Sequence, residues 1–107
     1  MIGIHRLLYS APHIGHLYTV VLADASSRFH QLLGERDSCF VTGTDEHGTK
    51  ILQAATTNKM SPKEYCDKIS SEYQLLFSES EINYTHFIRT TQDTHKRAVI
   101  DFWVSSS

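Results

Sequence analysis

Apolar residues recur at helical spacing early in the chain. From Gly15 to about Leu33, the residues Tyr18, Leu22, Ala25, Phe29 and Leu33 fall on one face. Gly34 follows as a stop signal. The pattern then shortens to SCFVTG (38–43), a β-favouring run ended by glycine that suits a buried parallel strand. TDEHGTKILQAATTN (44–58) reads as a loop entering a helix whose apolar side is Ile51, Leu52, Ala54 and Ala55. At SPKE, Ser61 takes the N-cap, Pro62 the first helical position and Glu64 the returning capping-box carboxylate. Tyr65, Ile69, Tyr73 and Leu76 keep helical spacing from there to about Phe77. INYTHFIRT (82–90) is β-branched and aromatic, which predicts a second strand, and Thr91 caps a last helix carrying Val99, Phe102 and Trp103. Strands alternating with helices predict an α/β fold with a parallel sheet, although two clear strands leave that sheet incomplete.

Composition narrows the picture only slightly. At 107 residues the chain fits one small domain, and 40% hydrophobic with 21% charged residues is ordinary for a globular protein. A net charge of −2 gives no global attraction to nucleic acid or an anionic membrane, so contact with any anion must be local. No apolar run approaches the length that crosses a bilayer, and MIGIHRLLYS is too weak for a signal or transit peptide. No membrane partner is expected. Cys39 and Cys66 form no CxxC pair and read as reduced, buried thiols.

Candidate chemistry gathers in two stretches. In SAPHIGHLY (10–18), Pro12 precedes or opens a helix that begins near His13 to His16. The free N–H groups and positive dipole end of a helix start favour a phosphate. Two imidazoles there can donate hydrogen bonds to its oxygens, and Gly15 clears room for a flat base or ribose. The same histidines also read as solvated helix-end residues, or as half of a zinc site lacking its other ligands. The second stretch, TGTDEHG (42–48), follows the predicted strand at the carboxyl end, where open α/β sheets bind ligands. Gly43 and Gly48 permit tight turns, while Asp45, Glu46 and His47 bring polar groups to the strand tip, where a carboxylate can hold an ammonium group and His47 can hydrogen-bond a ribose or phosphate. The plainer alternative is a polar βα loop with Asp45 as a helix cap.

APHIGHLY resembles the HIGH signature of class I aminoacyl-tRNA synthetases. FVTGTDEHGTKI (40–51) and FIRTTQDTHKRAVIDFW (87–103) resemble the companion segments of methionyl-tRNA synthetases of the bacterial and organellar type. The resemblance covers roughly residues 11–104 and implies a partial Rossmann-type parallel nucleotide-binding fold, the N-terminal half of a class I synthetase catalytic domain. It implies activation of methionine with ATP and Mg²⁺, then transfer to tRNA(Met) in a full-length parent, with no structural zinc in this segment. By position, the resemblance makes His13 and His16 the catalytic residues, contacting the ATP phosphates beside Pro12, with Gly15 under the adenosine. It makes Asp45 the holder of the methionine ammonium and puts His47 in the same pocket. LADASSRFHQLLG and YCDKISSEYQLLF look most like animal mitochondrial forms, so the mitochondrial matrix is the expected compartment, with the cytoplasm as the alternative.

Three departures from the family pattern shape the remaining expectations. MIGIHRLLYS (1–10) stands where the family has an alternating strand of the kind TTPIFYVN. KMSPK (59–63) imitates the family's KMSKS phosphate loop but lies far too early, and reads instead as a helix start. FWVSSS ends in a divergent tail (105–107), where the family continues into further domains. The sequence therefore reads as an altered segment 1–10, a catalytic-domain part 11–104 and a tail 105–107, a chain expected to be inactive alone. The alternatives are a small HxGH nucleotidyltransferase, or a non-catalytic product that binds a protein partner through the exposed surface of its incomplete core.

Overall fold

The computed structural model describes residues 2–7, 10–35 and 37–106, with residues 2–7 described by their backbone alone. Chain order is β1 (Ile2–Leu7), α1 (Ile14–Leu32), β2 (Cys39–Thr44), α2 (Thr49–Thr57), α3 (Pro62–Glu79), β3 (His86–Arg89) and α4 (Asp93–Ser105). The strands form one parallel sheet in the order β1-β2-β3, the α/β architecture expected of a Rossmann-type segment. Register runs from Ile2 opposite Cys39 to Leu7 opposite Thr44, and from Val41 opposite His86 to Thr44 opposite Arg89.

Strand β1 is the first difference from the sequence reading, which found two strands. IGIHRL lacks a β-favouring pattern, but strand identity is decided by pairing, and the backbone ladder to β2 accepts any side chain. Of the segment 1–10 and the tail 105–107, positions 1, 8, 9 and 107 lie outside the described residues.

Gly43 is the second difference. It sits inside β2 rather than in a turn, opposite Ile88. A Cβ there would fall 1.7 Å from the Ile88 carbonyl oxygen, so only glycine lets β2 and β3 pair this closely. The turn belongs to Gly48, which caps α2 at φ +109°. Asp45 is therefore not that helix's cap. Gly34 also takes a positive φ, +86°, just beyond the α1 C-cap.

Helix α3 starts as its sequence dictates. Ser61 Oγ accepts from Glu64 N–H at 3.2 Å, Glu64 Oε2 accepts from Ser61 N–H at 2.9 Å, and Pro62 opens the helix. The backbone and hydroxyl donors of Ser61 hold the Glu64 carboxyl below its usual pKa. The buried stripe of α3 is Tyr65, Cys66, Ile69, Tyr73 and Phe77, which meets Val20, Phe40, Ile51, Ala55 and Ile82 in a single core. Leu76 packs against that core from a partly buried position, whereas Leu52 is exposed. Cys66 is buried, with its thiol pKa raised by that burial, while Cys39 is half-buried; both are free.

The apolar stripe of α1 does not face the core. Tyr18, Leu22, Phe29 and Leu33 are 52–66% exposed, while His16, Val20, Asp24 and Ser27 are buried. Polar anchoring sets this orientation. Asp24 accepts from Asn83 N–H at 2.8 Å and from Arg28 Nε at 2.7 Å, and Arg28 reaches on to the Glu81 carbonyl at 2.7 Å. Helix α4 likewise buries none of its residues, with Phe102, Trp103 and Val104 exposed. Its N-cap is Gln92 and not Thr91. No helix among the described residues is long and apolar enough to cross a membrane.

Candidate functional site

Because β1 and β2 are parallel neighbours, the chain leaves both at the same edge of the sheet. The segment after β1 leads through Pro12 into the start of α1, and the loop after β2 carries Asp45, Glu46 and His47. The fold thus brings both candidate stretches to the carboxyl edge, at adjacent strands.

At the helix start, the two histidines cap one another. His13 is the N-cap in extended conformation, and its Nδ1 accepts from Gly15 N–H at 3.1 Å. His16, the third helical residue, returns its Nδ1 to His13 N–H at 3.3 Å. The pair forms a capping box built from imidazoles, with the rings stacked at a centroid distance of 3.8 Å. The stacking depends on Gly15, because a Cβ there would lie 2.9 Å from His13 Cε1 and push the ring aside. The His13 ring fills the space that a Cβ on Gly15 would take. His13 is exposed and Pro12 half-buried, while His16 is only 8% exposed. Behind His16 stands Tyr73 of α3, whose hydroxyl lies 2.9 Å from its Nδ1.

The loop after β2 is held from below. Burial alternates along β2 through Phe40, Thr42 and Thr44, and continues into Glu46, whose side chain is 2% exposed. A buried carboxylate needs compensation. Arg89 Nε donates to Glu46 Oε1 at 2.8 Å, the Thr91 hydroxyl donates to Oε2 at 2.5 Å, and the loop's Glu46 N–H donates to Thr90 Oγ1 at 2.8 Å. This bond to Glu46 is what takes Thr91 away from the helix cap. The guanidinium also reaches Asp67 at 2.6 Å, and Asp67 meets Lys63 at 2.8 Å. Hydrogen bonds from Lys63 and Arg89 hold the Asp67 carboxyl below its ordinary pKa. The network clamps the loop to β3 and α3 and lines a cleft of about 510 Å³ with Cys66, Gln92 and Lys96. Above it, Asp45 is half-buried and His47 exposed, with His47 Nε2 3.3 Å from the Thr90 carbonyl.

Sequence reasoning placed Pro12, His13, Gly15, His16, Asp45, Glu46 and His47 at this edge, but it put Glu46 among the polar groups of the strand tip rather than in a buried support, and it missed Tyr73 and Arg89. Tyr73 was legible only as a core position. The signal for Glu46 was its place in the alternation of β2, which puts a carboxylate on the buried face. Among the described residues, no group of three or more His, Cys, Asp and Glu side chains is placed to hold a metal ion.

Comparison with known proteins gives this arrangement a family. The tRNA synthetases class I (M) match residues 7–106. The chain is 52% identical over 96 residues to the mitochondrial methionine–tRNA ligases of Bos taurus and Homo sapiens, covering 88% of this chain and 16% of each relative. It is 49% identical over 92 residues to a probable mitochondrial methionine–tRNA ligase of Dictyostelium discoideum, again 16% of that protein. The fold superimposes at a TM-score of 0.81 and 35% identity on Mycobacterium tuberculosis methionyl-tRNA synthetase bound by methionyl-adenylate, covering 89% of this chain and 19% of that one. The chain spans about a sixth of the curated relatives' length and carries the helix-start histidines and the β2 loop on one sheet edge; it belongs to the class I (M) tRNA synthetases.

Proposed function

We propose that this chain supplies part of the site at which methionine is activated with ATP, for transfer to tRNA(Met) in a full-length parent. The observation that carries this reading is the doubly capped start of α1 lying beside the 45–47 loop at one sheet edge. Activation displaces pyrophosphate from ATP by the methionine carboxylate, and catalysis of that kind is mainly positioning and charge stabilisation. The exposed His13 is the first group an incoming phosphate meets. His16 acts from behind it, and the helix dipole favours the anion. Pro12 and Gly15 shape the approach for the nucleotide. Asp45 holds the methionine ammonium, and His47 lines the same pocket. Mg²⁺ arrives with the nucleotide.

The remaining assignments rest on similarity. We infer that residues 11–104 are the catalytic-domain part, with 1–10 and 105–107 departing from the family pattern at the ends of the matched span 7–106. Mitochondrial relatives support the mitochondrial matrix as the compartment. A protein partner would meet the chain on the exposed apolar faces of α1 and α4. Calorimetric titration with Mg·ATP tests the nucleotide assignment. H13A and H16A are each expected to weaken binding about tenfold, a change of about 1.4 kcal/mol. Equal affinity in wild type and both variants would overturn it.

A further inference from the structure

Tyr73 occupies the centre of the α3 stripe that builds the core, and its ring behaves as a core aromatic. It packs edge-on to Phe77 at 6.1 Å and to His16 at 5.3 Å. Its hydroxyl needs a separate account, since phenylalanine would fill the same volume. The side chain is 0% exposed, and a hydroxyl so buried requires partners. It finds them outside the core: the Ser10 carbonyl at 3.1 Å, on the segment entering α1, and the His16 ring, whose Nδ1 lies nearer at 2.9 Å and whose Nε2 lies at 3.4 Å.

Proton bookkeeping separates two arrangements. If His16 Nδ1 is bare, it accepts both from His13 N–H at 3.3 Å and from the Tyr73 hydroxyl at 2.9 Å, and the Tyr73 oxygen then faces the Ser10 carbonyl at 3.1 Å with no proton between them. The ring proton then sits on Nε2. If Nδ1 carries the proton, it donates to Tyr73, whose own proton passes to Ser10. That choice turns an N–H against His13 N–H and strands a helix-start donor, at a cost of about 1–3 kcal/mol. The first arrangement leaves the Ser10 carbonyl without the Tyr73 proton, which a carbonyl tolerates better than an N–H does, so the capping box favours it. Burial also pushes the Tyr73 pKa up to about 12, so the hydroxyl keeps its proton to donate at neutral pH.

We propose that Tyr73 is a positioning residue for His16: together with the His13 N–H it holds Nδ1 as an acceptor and fixes the ring proton on Nε2. This deepens the proposed function, on which its consequence rests. The Nε2–H form is a neutral imidazole that still offers a donor to a phosphate oxygen. Tyr73 also ties α3 to the helix start, so the core and the site share one hydrogen bond.

Long-range proton–nitrogen NMR on the ¹⁵N-labelled chain, recorded at neutral pH without nucleotide, tests the assignment independently of ATP binding. The expected wild-type spectrum has a pyridine-like Nδ1 and a pyrrole-like Nε2 for His16. Y73F keeps the ring packing and removes the hydroxyl, so the Nδ1 resonance is expected to shift while the α3 amides stay in place. A pyrrole-like Nδ1 in the wild type, or an unshifted Nδ1 in folded Y73F, would overturn the proposal. Should Y73F not fold, the wild-type signature decides alone.

Discussion

Gly15 sets the geometry of the two histidines by having no side chain. Its missing Cβ leaves the room that the His13 ring fills, 3.8 Å from the His16 ring. In G15A two effects oppose. Alanine gains up to about 1 kcal/mol of helix propensity over glycine, and displacing the His13 ring from its cap costs about 0.5–2 kcal/mol. Stability is therefore expected to change by less than about 1 kcal/mol, while the ring-to-ring cross-peaks of His13 and His16 disappear. Their survival in G15A would show that the cap tolerates a Cβ. The HIGH stretch was legible in the sequence because proline, glycine and paired histidines each have a local meaning at a helix start. Tyr73 was not, because nothing local to α3 says that a hydroxyl 57 residues away from His16 will meet it.

Between elements, the Glu46–Arg89 pair carries the loop. Glu46 leaves β2 on its buried face, and Arg89 is the last residue of β3, so the pairing of two parallel strands makes the ion pair. R89M is expected to strand the Glu46 carboxylate and cost about 3–5 kcal/mol, measured by urea unfolding. E46Q/R89M should recover much of that loss, because no buried charge remains. A cost below about 1 kcal/mol for R89M would show that the pair is solvated and idle. Helices α1, α2 and α3 and strands β2 and β3 were readable from spacing and capping signals. Strand β1 was not, since its backbone ladder to β2 exists only in the assembled sheet. The orientation of α1 was hidden for a related reason. Its apolar stripe predicted a buried face, but Asp24 and Arg28 anchor the polar side to the 81–83 turn.

Taken whole, the molecule leaves more surface open than a closed domain would. Its radius of gyration is 15.4 Å, against about 13 Å for a compact domain of 100 residues. Phe29 and Leu32 on α1, with Phe102 and Trp103 on α4, stand exposed. The candidate site shares this openness, with His13 and His47 exposed above a buried frame of His16, Glu46 and Tyr73. In the proposed function, the helix start and the β2 loop form one ligand site. This is tested most directly by titrating the labelled chain with a non-hydrolysable methionyl-adenylate analogue. The amides of residues 13–16 and 45–47 are expected to shift together along one binding curve, with H16A and D45A each weakening it about tenfold. Shifts confined to one stretch, or an affinity untouched by both substitutions, would contradict the account.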